Sequence, residues 1–228
     1  MRTLLALLIV ALVAGCASQP KIHSSNYERD LIAPNETENF IQVEKTIYPQ
    51  PQYGVGMSYA NKRHPSDHTT VYIYPIPSID WSDNEATLAK EMKPVLTEVD
   101  AMVSHGRYDS ATAAAESPFI FTANEQTYNG LKAHFSFTTQ QRAYDSDAYL
   151  FIQKDKFIKF RVSFDSELTA NWNGDAAVKE LLPLITVPDE SPWMRENREH
   201  HREQIQKQFI DALNKAIQKQ KAEEPETL

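Results

Sequence analysis

The chain has 228 residues, with 23 basic against 31 acidic side chains and a net charge of −8. That balance argues against nonspecific nucleic-acid binding. The single cysteine, Cys16, excludes an intramolecular disulfide, a CxxC redox pair and a cysteine-ligated zinc site.

Residues 1–15 have the pattern of an export signal. Arg2 gives a short positive start. Thr3 to Leu12 is an apolar run, shorter than the roughly 20 residues a spanning helix needs. Val13-Ala14-Gly15-Cys16 follows, and this tetrapeptide resembles the lipobox of bacterial lipoproteins. The resemblance implies that the Cys16 thiol receives the diacylglyceryl chains and that cleavage leaves Cys16 as the new N-terminus, carrying lipid, palmitate included. One acyl chain holds a protein only marginally, at ~0.8 kcal/mol per buried CH₂, whereas several on one cysteine hold it durably. Ala17, where such lipoproteins keep an Asp for inner-membrane retention, implies the periplasmic face of the outer membrane.

Residues 16–46 read as a lipid-anchored polar tether, with Pro20 and Pro34 interrupting any period. A folded domain is expected over residues 47–187. A weak alternation of Ile41, Val43 and Ile47 suggests an edge strand near the boundary. Val55, Met57 and Tyr59 alternate, as do Val71 and Ile73 against Tyr72 and Tyr74, predicting an antiparallel hairpin across a polar loop.

The next element is a helix capped by Ser82 or Asp83. Leu88, Met92, Val95, Leu96, Val99, Met102 and Val103 form one apolar stripe, with Pro94 inside it and Gly106 at its end. A meander follows. Residues 118–123 form a strand, and Leu131, Ala133, Phe135 and Phe137 point inward from the next. Asp145-Ser146-Asp147 is expected as a turn. Residues 148–153 are apolar on both faces and therefore central. After a turn at Lys154-Asp155-Lys156, Ile158, Phe160, Val162 and Phe164 point inward. A second helix is expected over about residues 174–184, packing through Val178, Leu181 and Leu182.

Residues 188–228 are expected to form a hinge, an amphipathic helix and an acidic tail. Ile205, Phe209, Leu213 and Ile217 make the helix's apolar face. They either fold back on the domain or meet a partner groove.

This order predicts an α+β fold. Its antiparallel sheet would have about six strands, with a long helix between the two strand groups, a second helix after them and a C-terminal amphipathic helix. The layout resembles the PsbP-like fold of photosystem extrinsic proteins. The likeness rests on element order alone and transfers no function.

Few residues suggest chemistry. His64, Asp67 and His68 share a loop without the fixed geometry of a zinc site, and Glu196, His200 and His201 read as a solvated helix face. Ser104 beside His105 lacks a nucleophile elbow. Gly54 and Gly56 lie in a strand pattern and form no phosphate loop. Lys132, His134, Lys159 and Arg161 are expected to share one outward sheet face, a basic stripe suited to an acidic ligand or lipid headgroup. Arg142, Lys154 and Lys156 stand near the strand ends.

The expected function is a non-catalytic, lipid-anchored envelope lipoprotein. It would bind or scaffold an envelope protein at the periplasmic face of the outer membrane, with no cofactor and no metal. The alternative is a periplasmic hydrolase whose active site the sequence does not locate.

Overall fold

The computed structural model describes residues 25–65, 67–167 and 173–223, with side chains through 219. The signal segment, Cys16 and the acidic tail lie outside the described residues.

One eight-stranded antiparallel sheet organises the domain, in the order β1-β2-β3-β8-β7-β6-β4, with β5 also pairing β6. The strands are β1 (Phe40–Ile47), β2 (Val55–Asn61), β3 (His68–Pro75), β4 (Ser110–Ala111), β5 (Ala115–Ala123), β6 (Gln126–Thr139), β7 (Arg142–Gln153) and β8 (Lys156–Asp165). The helices are α1 (Tyr27–Asp30), α2 (Asn84–Ser104), α3 (Gly174–Leu181) and α4 (Pro192–Glu223). The fold class is as expected, and the strand count rises from six to eight. The short β4 and the edge strand β1 account for the difference.

Tight turns set the register of the meander. Asn124 and Glu125 join β5 to β6, and Gln140 and Gln141 join β6 to β7, all with φ between 50° and 65°. Positive φ at both central residues is the geometry that matches strand twist in two-residue hairpins. The turn expected at Asp145-Ser146-Asp147 instead begins five residues earlier, at Gln140, and Asp145, Ser146 and Asp147 lie within β7.

The sheet is covered on both sides. Leu88, Met92 and Val95 of α2 pack on Ala133, Ala148, Leu150 and Phe157. Ala177, Val178 and Leu181 of α3 pack on the opposite face, against Tyr149, Phe151, Ile158, Phe160 and Val162. This is why β7 is apolar on both sides. Asp83 caps α2 by accepting from the Ala86 amide at 2.9 Å, and Asn173 caps α3 from the Ala176 amide at 3.1 Å.

Two expectations at the edges change. Part of the tether belongs to the domain: Tyr27 and Leu31 are core residues, and Ile32 bridges to Thr186. The segment read as a hinge is fixed. Ser191 accepts from the Met194 amide, and Ser191, Met194 and Arg198 are all buried.

Phe160 is completely buried at the centre of the α3 face. Phe160→Ala should cost about 3–5 kcal/mol. Chemical denaturation of the purified variant measures it, and a loss below about 1 kcal/mol would mean this face is not packed as described.

Candidate functional site

A dense polar cluster lies at the start of α3. Alternation puts Lys132 and His134 of β6 on the α3 face, opposite Tyr149 and Asp147 of β7. The first turn of α3 adds Asp175. Gly174 makes room for this approach, because a Cβ there would lie 2.7 Å from both Asp147 Oδ2 and Tyr149 Oη.

Asp147 is 2 % exposed and accepts three groups. His134 Nδ1 lies 2.7 Å from its Oδ1, the Tyr149 hydroxyl 3.1 Å from its Oδ2, and Lys132 Nζ 3.3 Å from Oδ2. Tyr149 also donates to Asp175 Oδ1 at 2.5 Å, and Lys132 donates to the same oxygen at 2.7 Å. Lys132 lies 5.3 Å from the centre of the Tyr149 ring. Burial raises the Asp175 pKa. Hydrogen bonds from Lys132 and Tyr149, with the charges of Lys132 and Lys179, outweigh it and hold the group below its usual 3.8. Burial, with the two carboxylates, pushes the Tyr149 phenol far above its ordinary value, so it remains a donor.

His134 is the most exposed member of the cluster, with its side chain 48 % exposed. A neutral ring donating Nδ1–H to Asp147 presents the Nε2 lone pair outward, the orientation of a base held by a carboxylate. No serine, threonine or cysteine hydrogen-bonds His134 among the described residues. Any hydrolysis here would activate water.

The expected basic stripe does not exist as one face. Lys132 shares its sheet row with Tyr149 and Phe160, whereas Lys159 shares the row of Leu131 and Leu150, on the α2 side. Arg161 pairs with Glu98 of α2. Arg142 pairs with Asp165 at 2.9 Å, Lys154 with Asp189 at 2.6 Å, and Lys156 with Asp155 at 2.5 Å. These cations bind the domain to itself. Lys159 differs and makes no hydrogen bond or ion pair among the described residues. Its ammonium lies 5.6 and 5.5 Å from the ring centres of Tyr72 and Tyr74.

Along α4, Ile205, Phe209, Leu213 and Ile217 are 42–67 % exposed. Packing back on the domain is therefore not the arrangement seen. Glu196 and His200 lie on exposed parts of the same helix, where His200 meets Gln204 at 2.9 Å. The Ser104 hydroxyl donates to the Asp100 carbonyl at 2.8 Å and is not poised toward His105. No group of three or more potential metal ligands occurs among the described residues. None of their helices is long and apolar enough to cross a membrane.

Asp67 is unusual. It is 3 % exposed, and neither carboxylate oxygen has a hydrogen-bond partner among the described residues. Burial lifts its pKa to about 6, with Asp165 adding to the rise and His64 and His68 opposing it. The protonated form is thus favoured in the fold. Its stabilising contribution is full below the unfolded value near 3.8 and is lost as pH rises through about 6. Asp67→Asn should raise the thermal midpoint at about pH 7.5 and leave it nearly unchanged at about pH 4. Melting curves at the two pH values test this, and a lower midpoint at the higher pH would contradict it.

No family model and no curated protein matches the chain. Among solved structures it is similar to cyanobacterial PsbP (CyanoP) from Synechocystis sp. PCC 6803, determined in solution. The two are 14 % identical, the match covers 76 % of this chain and 99 % of that one, and the TM-score is 0.44. This is a weak likeness of fold, and no functional argument rests on it.

Proposed function

We propose that the protein is a non-catalytic, lipid-anchored lipoprotein of the bacterial envelope, held by acyl chains on Cys16 at the periplasmic face of the outer membrane. In this reading it binds an envelope protein through α4. The observation that carries the binding role is the exposed row Ile205, Phe209, Leu213 and Ile217 on a helix whose base is fixed by buried Met194 and Arg198. Lys207, Asp211 and Lys215 lie between these positions on the exposed helix, two cations against one carboxylate. The fitting partner surface is an apolar groove with an acidic rim, filled at spacings of four residues. The anchor supplies location, so a modest intrinsic affinity suffices once the partner shares the membrane surface.

Two measurements test the two halves. Cys16→Ser should abolish acylation, because a hydroxyl cannot form the thioether, and should release the protein from the outer-membrane fraction. Retention after alkaline wash would contradict the anchor. Ile205→Asp with Phe209→Asp should remove recovery of the crosslinked protein partner from cells. The thermal midpoint should stay within about two degrees, since these side chains contribute little to the core. Unchanged recovery, or loss of binding to anionic vesicles in place of a protein, would move the function away from a protein groove.

A second reading, a periplasmic hydrolase, has one observation in its favour: the half-exposed His134 oriented by buried Asp147 at 2.7 Å. It predicts a water-dependent esterase or amidase activity abolished by His134→Gln in a variant that still folds.

A further inference from the structure

A cleft lies on the α2 side of the sheet, lined by Tyr48, Gln50, Gln52, Tyr53, Tyr72, Tyr74, Glu91 and Lys159, with a volume of about 560 Å³. No residue of α4 or of the His134 cluster lines it. Two glycines without a sequence-level role build it. Gly54 has φ +64°, and a Cβ there would meet the Ile73 carbonyl oxygen at 1.9 Å. Only glycine lets the 48–54 loop close so tightly on β3. Its carbonyl accepts the Tyr48 amide at 3.0 Å, which fixes the loop. At Gly56 an added Cβ would lie 3.1 Å from Tyr48 Oη and 3.5 Å from the Tyr72 ring. The bare strand position is what lets Tyr48 lie across β2 toward Tyr72.

The result is a set of tyrosine rings held before any ligand arrives. Tyr48 and Tyr53 meet edge to face, with centres 6.4 Å apart. The Tyr74 hydroxyl donates to Glu91 at 2.8 Å. The hydroxyls of Tyr48, Tyr53 and Tyr72 and the carboxamides of Gln50 and Gln52 have no intramolecular hydrogen bond among the described residues. Lys159 stands in the same cleft, its ammonium in no ion pair among the described residues. Burial, then Arg161, pulls its pKa below the ordinary lysine range, against Glu91 and Glu98. An anion entering the cleft would relieve that cost.

We propose that this cleft binds an acidic carbohydrate, a pyranose carrying a carboxylate, with the ring against the tyrosines and the carboxylate on Lys159. Sugars present one apolar face and a rim of hydroxyls. Tyrosine faces suit the first, and unused phenol and carboxamide groups suit the second. A proline-rich peptide is the other occupant of aromatic grooves. It would leave Lys159 buried deeper and still unpaired.

Isothermal titration of the full chain in a sugar-free detergent tests the proposal. The probes are N-acetylmuramic acid and glucuronic acid, with N-acetylglucosamine, lactate and octaproline as controls. Both acids should bind, and each control at least about tenfold more weakly, since N-acetylglucosamine lacks the carboxylate and lactate and octaproline lack the pyranose ring. Lys159→Gln should reduce the acids' affinity by about tenfold or more. Tyr53→Ala, at a ring 58 % exposed, should weaken binding without moving the thermal midpoint, and it keeps the test valid if Lys159→Gln does not fold. Equal binding of N-acetylglucosamine, tighter binding of octaproline, no binding of either acid, or unchanged affinity in both variants would overturn it.

Discussion

Arg198 ties the C-terminal helix to the sheet. Its guanidinium is 3 % exposed and reaches four groups: the Asp155 carboxylate at 3.2 Å, Glu190, the Ile76 carbonyl at 2.6 Å and the Trp81 ring at 4.4 Å. A buried charge costs several kcal/mol unless its partners replace water. Here they come from four places in the chain: the end of β3, the β7–β8 turn, the segment before α2 and the lead-in to α4. Lys156 joins the node, donating to Asp155 at 2.5 Å and to the Asp189 carbonyl at 3.1 Å. Two cations and two carboxylates thus neutralise one another at the point where α4 leaves the domain. The helix direction beyond Arg202 follows from this node, because the helix beyond it has no buried side chain among the described residues.

The same logic runs through the sheet. With α2 and α3 covering opposite faces, charged residues on both faces of the sheet meet a helix. The domain answers with matched pairs, Arg161 with Glu98 and Lys132 with Asp175. Charges that a one-sided sheet would leave in water become internal fastenings. What remains open to a ligand is the exception to that pairing, Lys159 above its tyrosines, and the edge of it, His134.

The alternation within each strand was legible in the sequence, and so were α2 with its Asp83 cap and the two-faced character of β7. Alternation fixes which residues share a face within one strand, but only register fixes it between strands. Asp145, Ser146 and Asp147 look like turn residues, whereas the turn is Gln140-Gln141, whose positive φ nothing in the side chains announces. Grouping Phe135 with Phe160 on one inward face, when they face different helices, placed Lys132 and Lys159 together. The His134–Asp147 pair was hidden for the same reason. The tyrosine cleft left a fainter signal: Gly54 and Gly56 flanked by Tyr48, Tyr53, Tyr72 and Tyr74. Tyr27 and Leu31 looked like tether because a four-residue helix carries no period.

The central claim is that α4 is anchored at Arg198 and offers its distal half to a partner. Amide hydrogen exchange of the free full chain tests it most directly. Amides near Arg198 should exchange as slowly as those of β7 and β8. Amides from Ile205 to Ile217 should exchange orders of magnitude faster, as an unsupported helix of this length does. Equal protection of both halves in the free protein would contradict the account, because it would mean that the apolar row is already covered.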